Sequence, residues 1–150
     1  MNAGLHWKTL SPIYSTSVSS VGGRDGTIRS DDGMLDLTVA LPQSLGGAGG
    51  ATNPEQLLAG GYAASFANAV FDATRDRSHK VVHKDIEVIA EVDMEANLHG
   101  SFELSISLIV IIAGIGQKMA EEIVKSAHAI CPYSNAVRGN IKVATSIITR

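Results

Sequence analysis

Residues 51–70, ATNPEQLLAGGYAASFANAV, set the strongest constraint on the fold. The stretch opens as a helix should. Asn53 is a good N-cap, Pro54 suits the first helical position, and Gln56 can close a capping box with Asn53. Proline also bars the residue before it from helical geometry, which a cap requires. Past this start come Ala, Gly and small apolar residues on all sides, with Ser65 a lone hydroxyl among them. A helix without a polar face has to be covered, so it belongs at the centre of a layered structure. The pattern predicts a helix running to about Thr74.

The covering layers are legible on both sides of this helix. Residues 10–22, rich in Ser, Thr and Val, suit an exposed strand. GGRDG at 22–26 is a turn cluster whose Asp25-Gly26 pair signals a hairpin. TIRSDD and, past Gly33, MLDLTVALP follow as strands, the second alternating at Leu35, Leu37 and Val39. Beyond the polar link TRDRSHK, DIEVIAEVDM places Ile86, Val88, Ala90 and Val92 on one face. SFELSISLIVI does the same with Phe102, Leu104, Ile106 and Leu108. GQKMAEEIVKSAHAIC at 116–131 has Met119, Ile123, Ala127 and Ile130 at helical spacing, and Pro132 stops it. GNIKVATSIIT closes as a strand. The order β-β-β-α-β-β-α-β predicts an α+β fold of largely antiparallel sheets with two main helices, in one domain over residues 1–150.

Composition bounds the partners. The chain has 150 residues, 45% of them hydrophobic and 18% charged. A surface poor in charge points to cover by a second subunit. The net charge of −3 and the scattered Lys and Arg residues argue against a nucleic-acid partner. The longest apolar run, LIVIIAGIG at 108–116, is well short of the ~20 residues of a membrane span. The N-terminus reads as carrying no secretory signal, and with one cysteine the expected compartment is a reducing cytoplasm.

Several motifs can be weighed on their chemistry. GGAGG at 46–50 lacks the Lys-Ser/Thr of a phosphate loop and reads as a flexible approach to the helix. GIGQK at 114–118 is weaker still. His79 and His83 are four apart, but Lys80 and Lys84 beside them repel a cation. His128 and Cys131, three apart on one helix, give two metal ligands, which is short of a site; core packing is the default for both. No metal or cofactor is expected. Ser65 lies outside any G-x-S-x-G elbow, and no His-Asp relay can be placed for a hydrolase. Taken alone, Ser65 reads as a small residue that lets another backbone come close. Cys131 ends a helix, where negative charge is disfavoured, so its thiol is not obviously activated. Arg24, in a glycine-rich turn, and Glu55, in the first turn of a helix, are the two charges that stand out. An arginine so placed could pair with Glu55 and still offer donors to an anion.

Taken in order, GGRDG, SDDGMLDLTVALPQSLGGAGGATNPEQLLAGGYAASF and AHAICPYSNAVRGNIKV resemble the organic hydroperoxide resistance proteins, part of the larger group of osmotically inducible protein C folds. The resemblance covers nearly the whole chain and is loosest over 76–116. It implies an intertwined homodimer with its sites at the interface, and a thiol peroxidase that reduces fatty-acid-type hydroperoxides. Family members carry a peroxidatic cysteine where this chain has Ser65 and a resolving cysteine where it has Cys131. Residues matching Arg24 and Glu55 flank the reactive thiol, and the expected reductant is a dithiol on a lipoylated protein. Ser65 departs from that pattern at the reacting atom. Oxygen forms no sulfenic acid, so the resemblance implies an inactivated peroxidase. The alternative is a non-catalytic paralogue holding a hydrophobic ligand in the same pocket. An introduced Cys→Ser exchange and a natural loss both account for Ser65; the retained Arg24 and Glu55 favour the exchange. Ten residues of helix separate Glu55 from Ser65, ~15 Å of rise, so both reach one small substrate only if Gly60-Gly61 bends the helix or the charged pair comes from the other subunit.

Overall fold

Two three-stranded sheets carry the chain, one in each of two units, residues 1–53 and 54–150. The computed structural model describes residues 11–78 and 81–150. The architecture is α+β, and the expected element order is present with one short helix added.

The first unit is an antiparallel meander of β1 (Val18–Val21), β2 (Gly26–Ser30) and β3 (Asp36–Val39). β1 and β2 pair from Val18↔Ser30 to Val21↔Thr27. The hairpin falls where GGRDG predicts it, but the left-handed residues are Gly22 (φ 86°) and Gly23 (φ 60°), not the Asp25-Gly26 pair. Pairing continues to Val21↔Thr27, so Gly26 is already strand and the reversal is made upstream of it. Asp25 instead ties the turn to the end of β3: its Oδ1 accepts a hydrogen bond from the Leu41 N–H at 2.9 Å. Gly26 is required for a different reason. A Cβ there would fall on the carbonyl oxygen of Val21. Gly26→Ala is therefore expected to open the β1–β2 hairpin at a cost of about 1–3 kcal/mol. Urea unfolding should show it, with Gly60→Ala as the milder comparison, since Gly60 has ordinary helical backbone in the α-helix at Pro54–Ala73 and its added Cβ meets nothing within 4 Å.

The meander has almost no core of its own. Among its described residues Val39 and Ser30 are buried, while Val18, Val21, Met34 and Leu37 stand 47%, 72%, 87% and 38% exposed. The Gly-rich 46–50 segment follows a 3₁₀ turn at Gln43–Leu45. Its amides are spent on the chain itself: Gly46 N–H donates to Gln43 O, Gly47 N–H to Pro42 O and Gly49 N–H to Leu41 O.

The second unit holds α1 (Pro54–Ala73), the hairpin β4 (Ile86–Ala96) and β5 (Phe102–Ile112), then α2 (Gln117–Ile130), α3 (Pro132–Val137) and β6 (Val143–Thr149). β4 and β5 pair antiparallel over eleven positions, from Ile86↔Ile112 to Ala96↔Phe102. Alternation holds over most of the hairpin: Ile106, Leu108, Val110 and Ile112 are buried, with Ile86, Val88, Ala90 and Val92 packed against them. It fails at the hairpin end, where Phe102, expected on the covered face, is 68% exposed, and Ile111 is buried although it lies on the other face. Tyr62, Phe66, Ala69 and Val70 of α1 and Ala120, Ile123, Val124 and Ala127 of α2 complete the same core. One expectation needs refining. β6 pairs parallel to β5, Ile106↔Val143 to Ile112↔Thr149. A parallel neighbour needs a crossover, and α2 with α3 supplies it. Pro132 ends α2 as expected and also opens α3, where its missing N–H costs nothing. Among the described residues no helix is long and apolar enough to cross a membrane.

Candidate functional site

The join between α2 and α3 places a sulfur beside the middle of α1. Pro132 forces the residue before it out of helical geometry. Cys131 accordingly has φ −67° and ψ 122°, an extended residue between two helices. Its N–H still donates to Ala127 O at 2.9 Å and its carbonyl accepts from Asn135 N–H at 3.0 Å. The thiol is buried, 0% exposed, and is the free cysteine of the chain. Cys131 Sγ lies 3.6 Å from Ser65 Oγ, close enough for a hydrogen bond that either atom can donate. Ser65 is half-buried. A hollow of about 230 Å³ opens beside the pair, lined by Ser65, Asn68, Ala69, Asp72, Ile130 and Pro132.

The close approach explains one small residue of α1, Gly61; a Cβ on Gly60 would meet nothing within 4 Å. A Cβ on Gly61 would lie 2.6 Å from Tyr133 Oη. Glycine there admits the Tyr133 ring, which stacks on Tyr62 with centroids 5.6 Å apart. The segment that carries Cys131 thus sits directly against α1.

Of the four residues singled out in the sequence, Ser65 and Cys131 are brought together. Glu55 is half-buried in the first turn of α1, which runs unbroken to Ala73, so ten residues and ~15 Å of helix separate it from Ser65. Arg24 lies in the β1–β2 turn of the first unit, with its side chain exposed. Of the histidines, His79 lies outside the described residues. His83 stacks on Phe71 with centroids 3.8 Å apart. His128 spends both ring nitrogens on hydroxyls, Nδ1 with Ser134 Oγ at 3.1 Å and Nε2 with Thr145 Oγ1 at 3.0 Å. Among the described residues no group of three or more His, Cys, Asp or Glu could hold a metal ion.

Around Cys131 stand residues that the sequence reading missed. Tyr62 Oη is 2.9 Å from Ser134 Oγ, both groups buried. Burial chiefly raises the Tyr62 pKa above its ordinary value; the Ser134 hydrogen bond works against this, and charge on Cys131 works with it. Arg138 Nη2 donates to His128 O at 2.7 Å, closing the last turn of α2 with a cation. A signal was present: Tyr62 precedes Ser65 by three residues, nearly one helical turn, and is the one polar-tipped aromatic in an otherwise bland helix.

Burial, and then the nearby Arg138 charge, hold the His128 pKa below its ordinary 6.5. The folded state thus prefers neutral His128, while the unfolded chain takes up a proton near 6.5. The stability this contributes is complete above pH 6.5 and falls as pH drops through the lowered folded value. His128→Gln should flatten that loss between pH 7.5 and 5, measured as urea midpoints at each pH.

The chain matches the family described as OsmC-like protein over residues 47–146. It is similar to OhrA of Bacillus subtilis, an organic hydroperoxide resistance protein, at 39% identity over 91% of this chain and 96% of that protein. A protein of Acinetobacter baylyi named as uncharacterized is 41% identical over 91% of this chain and 94% of its own length. Among solved structures, an organic hydroperoxide resistance protein from Legionella pneumophila superposes with a TM-score of 0.87 at 42% identity, covering 91% of this chain and 98% of that one.

Proposed function

The chain belongs to the OsmC-like family, with organic hydroperoxide resistance proteins among its relatives, and from that premise we propose that it has the scaffold of a thiol peroxidase for organic hydroperoxides. In this reading position 65 is the peroxidatic site and Cys131 the resolving thiol. The observation that carries it is the 3.6 Å approach of Ser65 Oγ to Cys131 Sγ across two elements 66 residues apart.

With cysteine at 65, the thiolate attacks the distal oxygen of the hydroperoxide. The O–O bond breaks, the alkoxide leaves and takes a proton to become the alcohol, and a sulfenic acid remains. The Cys131 thiol then displaces the sulfenic oxygen as water and forms a disulfide. A dithiol, for which we propose a lipoylated protein, reduces that disulfide by exchange. Arg24 serves to stabilise the thiolate and the leaving alkoxide, and Glu55 to orient Arg24. Serine at 65 stops the sequence at its first step, because a hydroxyl is far less acidic than a thiol and oxygen cannot take the sulfenic state. The chain as written is therefore an inactive peroxidase. Peroxide consumption by Ser65→Cys tests this reading.

We further propose an intertwined homodimer in the cytoplasm, with the charged pair meeting position 65 at the interface. Two observations support it: the ~15 Å of helix between Glu55 and Ser65, and the apolar side chains of Val21 and Met34, 72% and 87% exposed on a meander too thin to cover them. Sedimentation should give a dimer at micromolar concentration; a monomer overturns the interface site. A second reading is favoured by Ser65 itself: the same fold holding a hydrophobic ligand beside residue 65, without turnover. Tight fatty-acid binding together with a catalytically silent Ser65→Cys would establish it instead.

A further inference from the structure

A line of four side chains crosses the second unit, and the chemistry above does not use it. Tyr62 Oη meets Ser134 Oγ at 2.9 Å, Ser134 Oγ meets His128 Nδ1 at 3.1 Å, and His128 Nε2 meets Thr145 Oγ1 at 3.0 Å. The four residues belong to α1, α3, α2 and β6 in turn. With His128 neutral, one direction satisfies every member. Tyr62 O–H donates to Ser134, Ser134 O–H donates to Nδ1, and Nε2–H donates to Thr145.

The line brackets Cys131. His128 lies three residues before it and Ser134 three residues after. Between these two, the chain leaves helical geometry at Cys131, whose N–H to Ala127 O is the last bond of the α2 ladder and whose carbonyl begins that of α3. α3 is six residues long and cannot hold itself in place by propensity. Ser134, a residue 4% exposed, is its buried polar attachment, and an unpaired hydroxyl at such a depth is disfavoured. Phe66, its ring 4.5 Å from that of His128, fixes the imidazole from the α1 side.

We propose that the Tyr62–Ser134–His128–Thr145 line is a positioning device that holds the Cys131 thiol at bonding reach of position 65. The inference rests on the reading of 65 and 131 as a redox pair. Closing a disulfide demands a narrow window of Cα and Cβ separations. A junction freed to drift by an ångström leaves that window while the helices around it stay folded.

The experiment separates this claim from the peroxidase reading by using no peroxide. Ser65→Cys is treated with 4,4′-dithiodipyridine. The thiolate at 65 cleaves the reagent's disulfide, forming a mixed disulfide and releasing one thiopyridone, at a rate that follows reagent concentration. The Cys131 thiolate then displaces the second thiopyridone, at a rate independent of reagent. Adding Ser134→Ala should slow the second release by about tenfold or more and change the first less than twofold. Ser134→Thr, which keeps the hydroxyl, should restore it. A folded Ser134→Ala protein with an unchanged second release overturns the proposal, as does a Ser65→Cys parent that never releases the second equivalent. Should Ser134→Ala fail to fold, Thr145→Val at the exposed end of the line decides: a slowed second release supports the proposal and an unchanged one overturns it. If Ser65→Cys leaves organic hydroperoxides untouched yet closes in a Ser134-dependent way, the peroxidase reading falls and the positioning role stands.

Discussion

Exchanging Ser65 for cysteine is expected to turn a chain that leaves cumene hydroperoxide intact into one that consumes it with lipoamide as reductant. The gain should be on the order of 10³-fold or more, the scale on which loss of a nucleophile is felt. The exchange replaces one oxygen by a larger, more polarisable sulfur at a half-buried position, so the packing of α1 is not at stake. Sulfur brings two properties oxygen lacks. A thiol ionises far more readily than an alcohol, and it accepts an oxygen atom reversibly. Cys131 already stands within 3.6 Å, so turnover past the first equivalent should end in a 65–131 disulfide, visible as two lost thiols and an unchanged chain mass but for two hydrogens. Ser65→Cys with Cys131→Ser should instead stop at a sulfenic acid that dimedone traps. A Ser65→Cys protein that folds as before and shows no gain over the serine form removes the peroxidase reading.

The largest loss of stability is expected at the residue next to Ser65. Phe66 is 0% exposed and lies between two aromatic neighbours, Tyr62 at 6.3 Å edge-on and His128 at 4.5 Å. Phe66→Ala removes its burial, leaves a cavity in a core built from both helices and the sheet, and forfeits the aromatic contacts. Together these should cost about 3–5 kcal/mol. Urea or guanidinium unfolding measures the cost directly. Ser65→Ala is the control one position away, expected within about 1 kcal/mol because its hydroxyl is neither deeply buried nor paired with a charge. A Phe66→Ala loss no larger than the control would mean that α1 is not the centre of the core.

How much of this was readable beforehand depended on range. α1 was legible to within a residue because its signals are local: Pro54 at the start, and small residues with no polar face throughout. β4 and β5 were legible because alternation at Ile86, Val88, Ala90 and Val92 states which face is covered. Pro132 announced a break, but not that a second helix would begin on the same residue. The parallel seating of β6 was invisible, since nothing in GNIKVATSIIT names its neighbour or its direction. The approach of residue 131 to residue 65 was legible through family resemblance alone. Spacing along the chain carries no trace of it. The line from Tyr62 to Thr145 was missed for the same reason. Each member looks ordinary until helices far apart in sequence are packed, and His128, judged by its sequence neighbours, read as core filler or half of a metal site.

The parallel seating of β6 on β5 has a consequence for biosynthesis. As the polypeptide leaves the ribosome, β4 and β5 can zip together at once, but the outer edge of β5 waits for some thirty residues more. During that interval a strand as apolar as LSISLIVII shows unpaired amides and carbonyls to any other nascent chain. A stop codon ahead of Val143 is accordingly expected to send the product into inclusion bodies.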